Sequence, residues 1–473
     1  MRKIGLFALT LLITGSIDSI RNLPSTALSG SALVFFVAFA GLMFLMPTAL
    51  VSAELAANID EGGVYQWARL AFGERVGFLA VWLQWINNIF WFPTILSFIV
   101  GTAAYLIDPV LAQNQYYLVG AILGVFWFLT FINLKGVHIS ARFSSFCTIV
   151  GLIIPMLFII ALCGVWLALH KPTQIHLSLS TIWPKWDFDH WNALTVIMLS
   201  FTGMELTTVH IKEVHQPQRA FPRALGVSSL IILFTMALGS LAVAFVLPYN
   251  QINLVNGTIQ TFAYFLSAYQ LSWLTPVLTL LLVMGSLGGL MNWVSGPIKG
   301  IAEAAEHGFL PPFFRKHNRH HAPKNLLLTQ AILVSVVCTA FLMIPNINGS
   351  FWLLMALATQ LYMLMYVLVF LSAWRLRHRI RNEGNAFRIP GGKLGTRFTC
   401  ILGLVGCFMT LCVGFVPPTY MTNHFNYELL FAGGMIAMLL PLAFFYWYQG
   451  YTKRIISPTV NTTQPLANTQ PVS

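Results

Sequence analysis

The sequence predicts an all-α integral membrane protein of twelve transmembrane helices. Three observations carry this. Only 8% of the 473 residues are charged, against about 25% in an average soluble domain. Hydrophobic residues make up 57% of the chain and the mean hydropathy is +0.74. Apolar runs near the roughly 20 residues that a helix needs to cross a bilayer recur along the whole length. This composition excludes a water-facing globule and a disordered chain. It also excludes a disulfide scaffold: the six cysteines lie in or at the edge of apolar runs with no CxxC pair, and they read as small core residues. A closed barrel would show alternation instead of continuous apolar runs.

The runs fall near 5–29, 32–57, 78–107, 117–134, 144–169 and 192–212, then near 225–247, 272–297, 326–345, 351–374, 398–416 and 427–449. The first has a signal-peptide start, with Arg2 and Lys3 before Ile4–Ile13, but no A-x-A site follows. It is expected to stay as span 1. Basic residues set the orientation. Twenty-two of the 26 lie in every second connection, among them Arg69 and Arg75, Lys135 and Arg142, and the seven from Arg375 to Arg397. The opposite connections hold only Lys171 and Lys185. This asymmetry predicts a multi-pass protein of the cytoplasmic (inner) membrane with both termini in the cytoplasm. It also accounts for the net charge of +12 as topology, so nucleic acid is not an expected partner. The longest polar stretches, 171–190 outside and 375–397 inside, leave no room for a soluble catalytic domain. The Thr/Pro/Asn-rich stretch 455–473 is expected to be a disordered cytoplasmic tail.

Span 1 carries Thr14-Gly15-Ser16-Ile17-Asp18-Ser19 in its middle, followed by Arg21, Asn22 and Pro24. Span 6 carries Ser200-Phe201-Thr202-Gly203-Met204-Glu205. A polar Gly step followed closely by a carboxylate thus occurs in two spans. They occupy equivalent places if 1–170 (spans 1–5) and 191–376 (spans 6–10) are repeats, with spans 11 and 12 at 398–450 outside them. Five spans per repeat makes the second copy inverted. Gly lets a chain leave the helix, and unwound backbone inside a membrane is tolerable only around a water-filled site. Freed helix N-termini present donors and a positive dipole end to a carboxylate. Interrupted spans in matching positions point to a transporter binding site. The alternative is that these small residues only allow close helix packing.

At these residues the sequence resembles permeases of the amino acid–polyamine–organocation superfamily, which have the LeuT-type fold: a 5+5 inverted repeat, here with two extra helices. A second landmark is Glu54 to Trp67, with Glu61-Gly62-Gly63 and Tyr65, similar to that superfamily's acidic, double-glycine, aromatic loop. Within it the resemblance is closest to the bacterial glutamate:GABA antiporter family. It rests on Phe201-Thr-Gly203-Met-Glu205, Val209 to Glu213, Trp293 to Gly300, Phe387 to Lys393 and Pro417-Pro418, and covers about residues 1–450. The resemblance implies exchange of one amino acid for a related product by alternating access. It also implies a bundle of spans 1, 2, 6 and 7 moving against a scaffold of spans 3, 4, 8 and 9. The chain departs from that family at Arg21-Asn22, where the antiporters carry Tyr-Glu, and at Gly289, where they carry a glutamate. Tyr362 and Tyr366 match.

Thr14, Gly15, Ser16, Thr202 and Gly203 are therefore the expected substrate-binding residues, together with Tyr362 and Tyr366, which lie one turn apart on span 10. Glu205, Asp18 and Arg21 are the expected coupling or gating residues, because ionisable groups at mid-membrane are functional by default. Two plainer roles stand beside this: Glu205 as a fixed hydrogen bond to span 8, and Asp18 with Arg21 as a local helix pair or cap. Trp82, Trp85, Asn87, Asn88 and Trp91 resemble a scaffold wall. His210, Glu213 and His215 lack the three or four convergent ligands a zinc site needs, so no metal is expected. GxxxxGK[ST] is absent, and no cofactor or ATP drive is expected. Amino acids and the lipid bilayer are the expected partners, and the protein is not expected to be an enzyme. A proton- or sodium-coupled symporter and a membrane-embedded enzyme are the competing classes.

Overall fold

The computed structural model describes residues 4–456 except 60–62, 137–140, 186–190, 345, 379–385 and 418–423. It is helical throughout, and eleven helices are long and apolar enough to cross a membrane. They are Leu6–Ala27, Gly30–Asn58, Glu74–Leu106, Gln115–Leu134 and Ser145–Ala168 (spans 1–5), then Pro217–Val246, Ser272–Leu290, Lys324–Met343 and Ile347–Leu376 (spans 7–10), and Gly392–Val413 and Tyr427–Tyr451 (spans 11 and 12). Span 6 is the twelfth. It falls below the length of an unbroken span because it is split into Ala193–Ser200 and a 3₁₀ segment, Leu206–Glu213.

Several ends differ from the hydropathy runs for local reasons. Span 7 starts at Pro217, where the missing N–H of proline suits the first turn. The helix of span 8 continues to Glu306 as a more polar extension, which leaves Lys299 exposed. Asn114 starts span 4 by accepting the backbone N–H groups of Tyr116 and Tyr117. Spans 2 and 5 each contain a π-turn, Gly41–Leu45 and Ile149–Ile153, just before a proline.

Spans 3 and 10 are the most enclosed helices; they pack against each other, and span 10 also packs against span 6 at the centre. Span 1 lies on span 7, span 8 on spans 3 and 5, and span 9 on span 4. Spans 4 and 12 keep apolar side chains such as Phe128, Ile436 and Leu440 on the outside, as lipid-facing helices do. A short amphipathic helix, Val64–Phe72, packs on spans 3 and 10 between spans 2 and 3. Close by, Arg377 at the end of span 10 forms an ion pair with Glu54 at the end of span 2, and Gln66 donates to Glu303 at 2.5 Å. Burial pushes the Tyr65 hydroxyl on this helix up to about 12. Glu61 and Gly62 of the acidic loop, Pro418 and the tail from 457 lie outside the described residues.

Candidate substrate-binding site

Both polar spans are broken, but not in the same way. Span 1 is helical from Leu6 to Ile17, extended at Asp18 (ψ 127°) and Ser19 (ψ 104°), and resumes through a 3₁₀ turn, Ile20–Asn22, into Leu23–Ala27. The opening expected around Gly15 therefore comes less than a turn later, at two residues that are not glycine. Gly15 stays helical, and its lack of a side chain serves contact: a methyl group there would collide with Thr148 of span 5. Span 6 opens where the sequence places it. Its helix stops at Ser200 and Gly203 takes φ +110°, a conformation other residues rarely adopt.

Between the breaks lies a cavity of about 50 Å³, room for roughly three or four waters. An amino acid would need its walls to part. Gly15, Ser16, Asp18, Arg21 and Thr202 line it, with Trp91 of span 3, Thr148 of span 5 and Gly289 and Trp293 of span 8. The hydroxyls of Ser16 and Thr202 turn back to the carbonyls of Leu12 (2.7 Å) and Leu199 (2.7 Å). Trp293 Nε1 donates to the Ser16 carbonyl at 3.0 Å, and its ring lies 4.8 Å from that of Trp91. Thr14 lies outside the lining and donates to Ser228 of span 7 at 3.1 Å.

Asp18 and Arg21 both line the cavity but do not pair. The extended residues between them remove the helical spacing that would bring their side chains together. Asp18 Oδ2 accepts from Thr235 of span 7 at 2.7 Å, and Oδ1 has no partner. The side chain of Asp18 does not cap the second half of span 1. The Arg21 guanidinium lies 4.9 Å over the Trp91 ring. Its Nη1 meets Thr94 Oγ1 at 2.9 Å and Met355 Sδ at 4.0 Å, while Nε has no partner.

Glu205, Tyr362 and Tyr366 form a second, fully buried cluster beside the cavity. Tyr362 donates to Glu205 Oε1 at 2.5 Å and Gln84 Nε2 donates to the same oxygen at 3.0 Å. Tyr366 donates to Oε2 and accepts the Gly203 N–H at 2.7 Å. The carboxylate thus fastens broken span 6 to spans 3 and 10, not to span 8 as the plainer reading had it. Trp293 joins the two layers, with its ring 6.2 Å from Tyr362 and close to Gly203.

A family model described as amino acid permease matches residues 4–440. The chain belongs to the amino acid permease family. An uncharacterized transporter of Legionella pneumophila is 37% identical over 92% of this chain and 94% of its own length. A glutamate/gamma-aminobutyrate antiporter of Lactococcus lactis is 29% identical over 96% and 92%, and a probable agmatine/putrescine antiporter of the same species is 22% identical over 84% of each chain. The family is one of transporters with amino acid substrates, and the chain is a multi-pass membrane protein.

Several residues of the candidate site escaped the sequence reading, among them Gln84, Trp293, Thr235 and Thr148. Gln84 lay unremarked among the span 3 polar residues, although an amide in mid-span is itself a signal. Trp293 was visible only as part of a motif. Thr235 had no signal, because threonine is ordinary in such helices. Of the span 3 residues expected to form a wall, Trp91 alone lines the cavity. Trp85 donates to Gln330 and Trp82 to the Met438 carbonyl, while Asn87 and Asn88 turn back to their own helix. Among the described residues no three His, Cys, Asp or Glu side chains gather to hold a metal.

Proposed function

We propose that this permease exchanges amino acids across the cytoplasmic membrane by alternating access, with the cavity between the breaks of spans 1 and 6 as the transport site. The observation that carries the reading is the cavity itself: at mid-span, between two interrupted helices, it is lined by two buried charges that are not paired with each other. Such charges are costly in a membrane unless something in the working cycle uses them. Gly15, Ser16 and Thr202 form part of the cavity wall that the substrate rests against. Tyr362 and Tyr366, anchored on Glu205 and on the Gly203 N–H, form the gate of span 6. Residues 1–170 and 191–376 are the two inverted repeats, and both termini are cytoplasmic.

The test uses purified protein in liposomes preloaded with single amino acids. Uptake of radiolabelled glutamate, glutamine, GABA, arginine and a neutral amino acid is followed at acid and neutral pH. Exchange requires that uptake depend on an internal amino acid. Uptake into empty vesicles along a proton or sodium gradient would overturn exchange and make Glu205 the coupling site of a symporter.

A further inference from the structure

We infer that Asp18 and Arg21 are a divided pair of counter-charges that recognise the substrate by its own two charges: Arg21 takes a carboxylate, Asp18 takes an ammonium group, and the site selects zwitterions over diamines and dicarboxylates. This rests on the cavity being the transport site and names the class of compound it accepts.

The hydroxyls of Ser16 and Thr202 are used by their own helices, and the Ser16 carbonyl also takes the Trp293 indole. Gly15 and Ser16 lie within an intact helix, so the backbone of span 1 opens only after them. The charged lining residues are Asp18 and Arg21. Each is buried and each keeps an unpartnered polar atom, Asp18 Oδ1 and Arg21 Nε. No carboxylate of the described residues pairs with Arg21, whose hydrogen bonds run through Nη1 to Thr94 and Met355.

A buried guanidinium resting on an indole face and a hydroxyl is positioned without being neutralised. Thr235 fixes the Asp18 carboxylate in the same way, through one oxygen only. The break at Asp18–Ser19 keeps the two charges from satisfying each other. A ligand carrying one positive and one negative group completes both. A diamine would set a cation against Arg21, and a dicarboxylate would set an anion against Asp18, each an unpaired like-charge contact in a site sheltered from water. Arginine suits the carboxylate role because its planar fork binds it in a bidentate way.

The test uses the wild-type protein in liposomes loaded with a competent internal amino acid. Putrescine, glutarate and zwitterionic amino acids compete for labelled uptake. The expected result is competition by zwitterions, with putrescine and glutarate at least about tenfold weaker. The variants Arg21→Gln and Asp18→Asn should lower the apparent affinity for amino acids by about 10–100-fold. They should do so with opposite biases: Arg21→Gln gains putrescine relative to glutarate, and Asp18→Asn gains glutarate relative to putrescine. A merely structural role would weaken all ligands together. Equal competition by putrescine in the wild type, or folded variants with wild-type selectivity, would overturn the assignment while leaving exchange intact. If one variant does not fold, the bias of the other still tests the assignment, with Arg21→Lys as the milder substitution. Wild-type protein that exchanges no amino acid overturns the reading of the cavity itself.

Discussion

Tyr366→Phe and Tyr362→Phe differ by one oxygen from the native side chains, and the structure ranks their costs. Tyr362 donates to Glu205 Oε1, which Gln84 also serves at 3.0 Å, so its removal leaves that oxygen partnered. Interhelical hydrogen bonds in membranes average about 0.6 kcal/mol, and Tyr362→Phe should cost about 1 kcal/mol. Tyr366 does more: it donates to Oε2 and holds the Gly203 N–H. Phenylalanine there keeps the ring contact with Phe44 but strands a carboxylate oxygen and a backbone donor together. A bond to a charged group is worth about 1.5–3 kcal/mol and an unsatisfied buried donor costs about 1–3 kcal/mol. With some relaxation, Tyr366→Phe should cost about 3 kcal/mol. Thermal unfolding of the purified variants in one detergent checks this, with a Tm drop for Tyr366→Phe at least twice that for Tyr362→Phe. Equal drops, or the reverse order, would refute the claim that Tyr366 bridges the carboxylate and the break.

Gly203→Ala should cost about 2–4 kcal/mol in the same assay, since φ +110° is strained for any side chain and a methyl would meet Ile17, Leu206 and Trp293 at 3.3 Å. Gly15→Ala should lower the yield of monodisperse protein, and adding Thr148→Ala should recover most of it, because the methyl collides with the Thr148 side chain and not with a turn. Glu54→Ala should cost about 1–3 kcal/mol by leaving Arg377 unpaired in a half-buried position. The double variant Glu54→Ala/Arg377→Met should then cost less than the sum of the two single changes, as measured by a double-mutant cycle.

The fold was legible because its signals are cumulative. A run such as 351–374 or 427–449 declares a membrane helix through twenty side chains at once, so no single residue decides it. The positions of the breaks depended on individual residues, and there the sequence misled. Gly15 looked like the point of opening because glycine permits it, yet packing against Thr148 gives that glycine a different use and the chain opens at Asp18 and Ser19. Gly203 bore out the same argument because a positive φ leaves little choice of residue. Glu205 was conspicuous as a carboxylate in an apolar run. Its partners Tyr362 and Tyr366 share a helical face and so were found with it, through the resemblance. Gln84 and Thr235 come from other spans, and their convergence on Glu205 and Asp18 is a fact of tertiary packing that local spacing does not encode.

The hydroxyls that attach span 1 to its neighbour decide where this molecule can bend. Ser228 donates to the Thr10 carbonyl and accepts from Thr14, Thr235 holds Asp18, and Thr258 donates to the Ile20 carbonyl at 2.9 Å. Fastenings therefore fall before the interruption, at it and after it, all from the segment 217–268. An unwound stretch pinned on both sides is not a free hinge: span 1 and span 7 are joined into one stiff beam. Span 6 is held differently: its turn meets span 10 at the Tyr366 hydroxyl on the Gly203 N–H, and again through Glu205 on Tyr362 and Tyr366. On the alternating access proposed above, rocking of that beam would load this joint, which gives Tyr366 the place of a latch between span 6 and span 10.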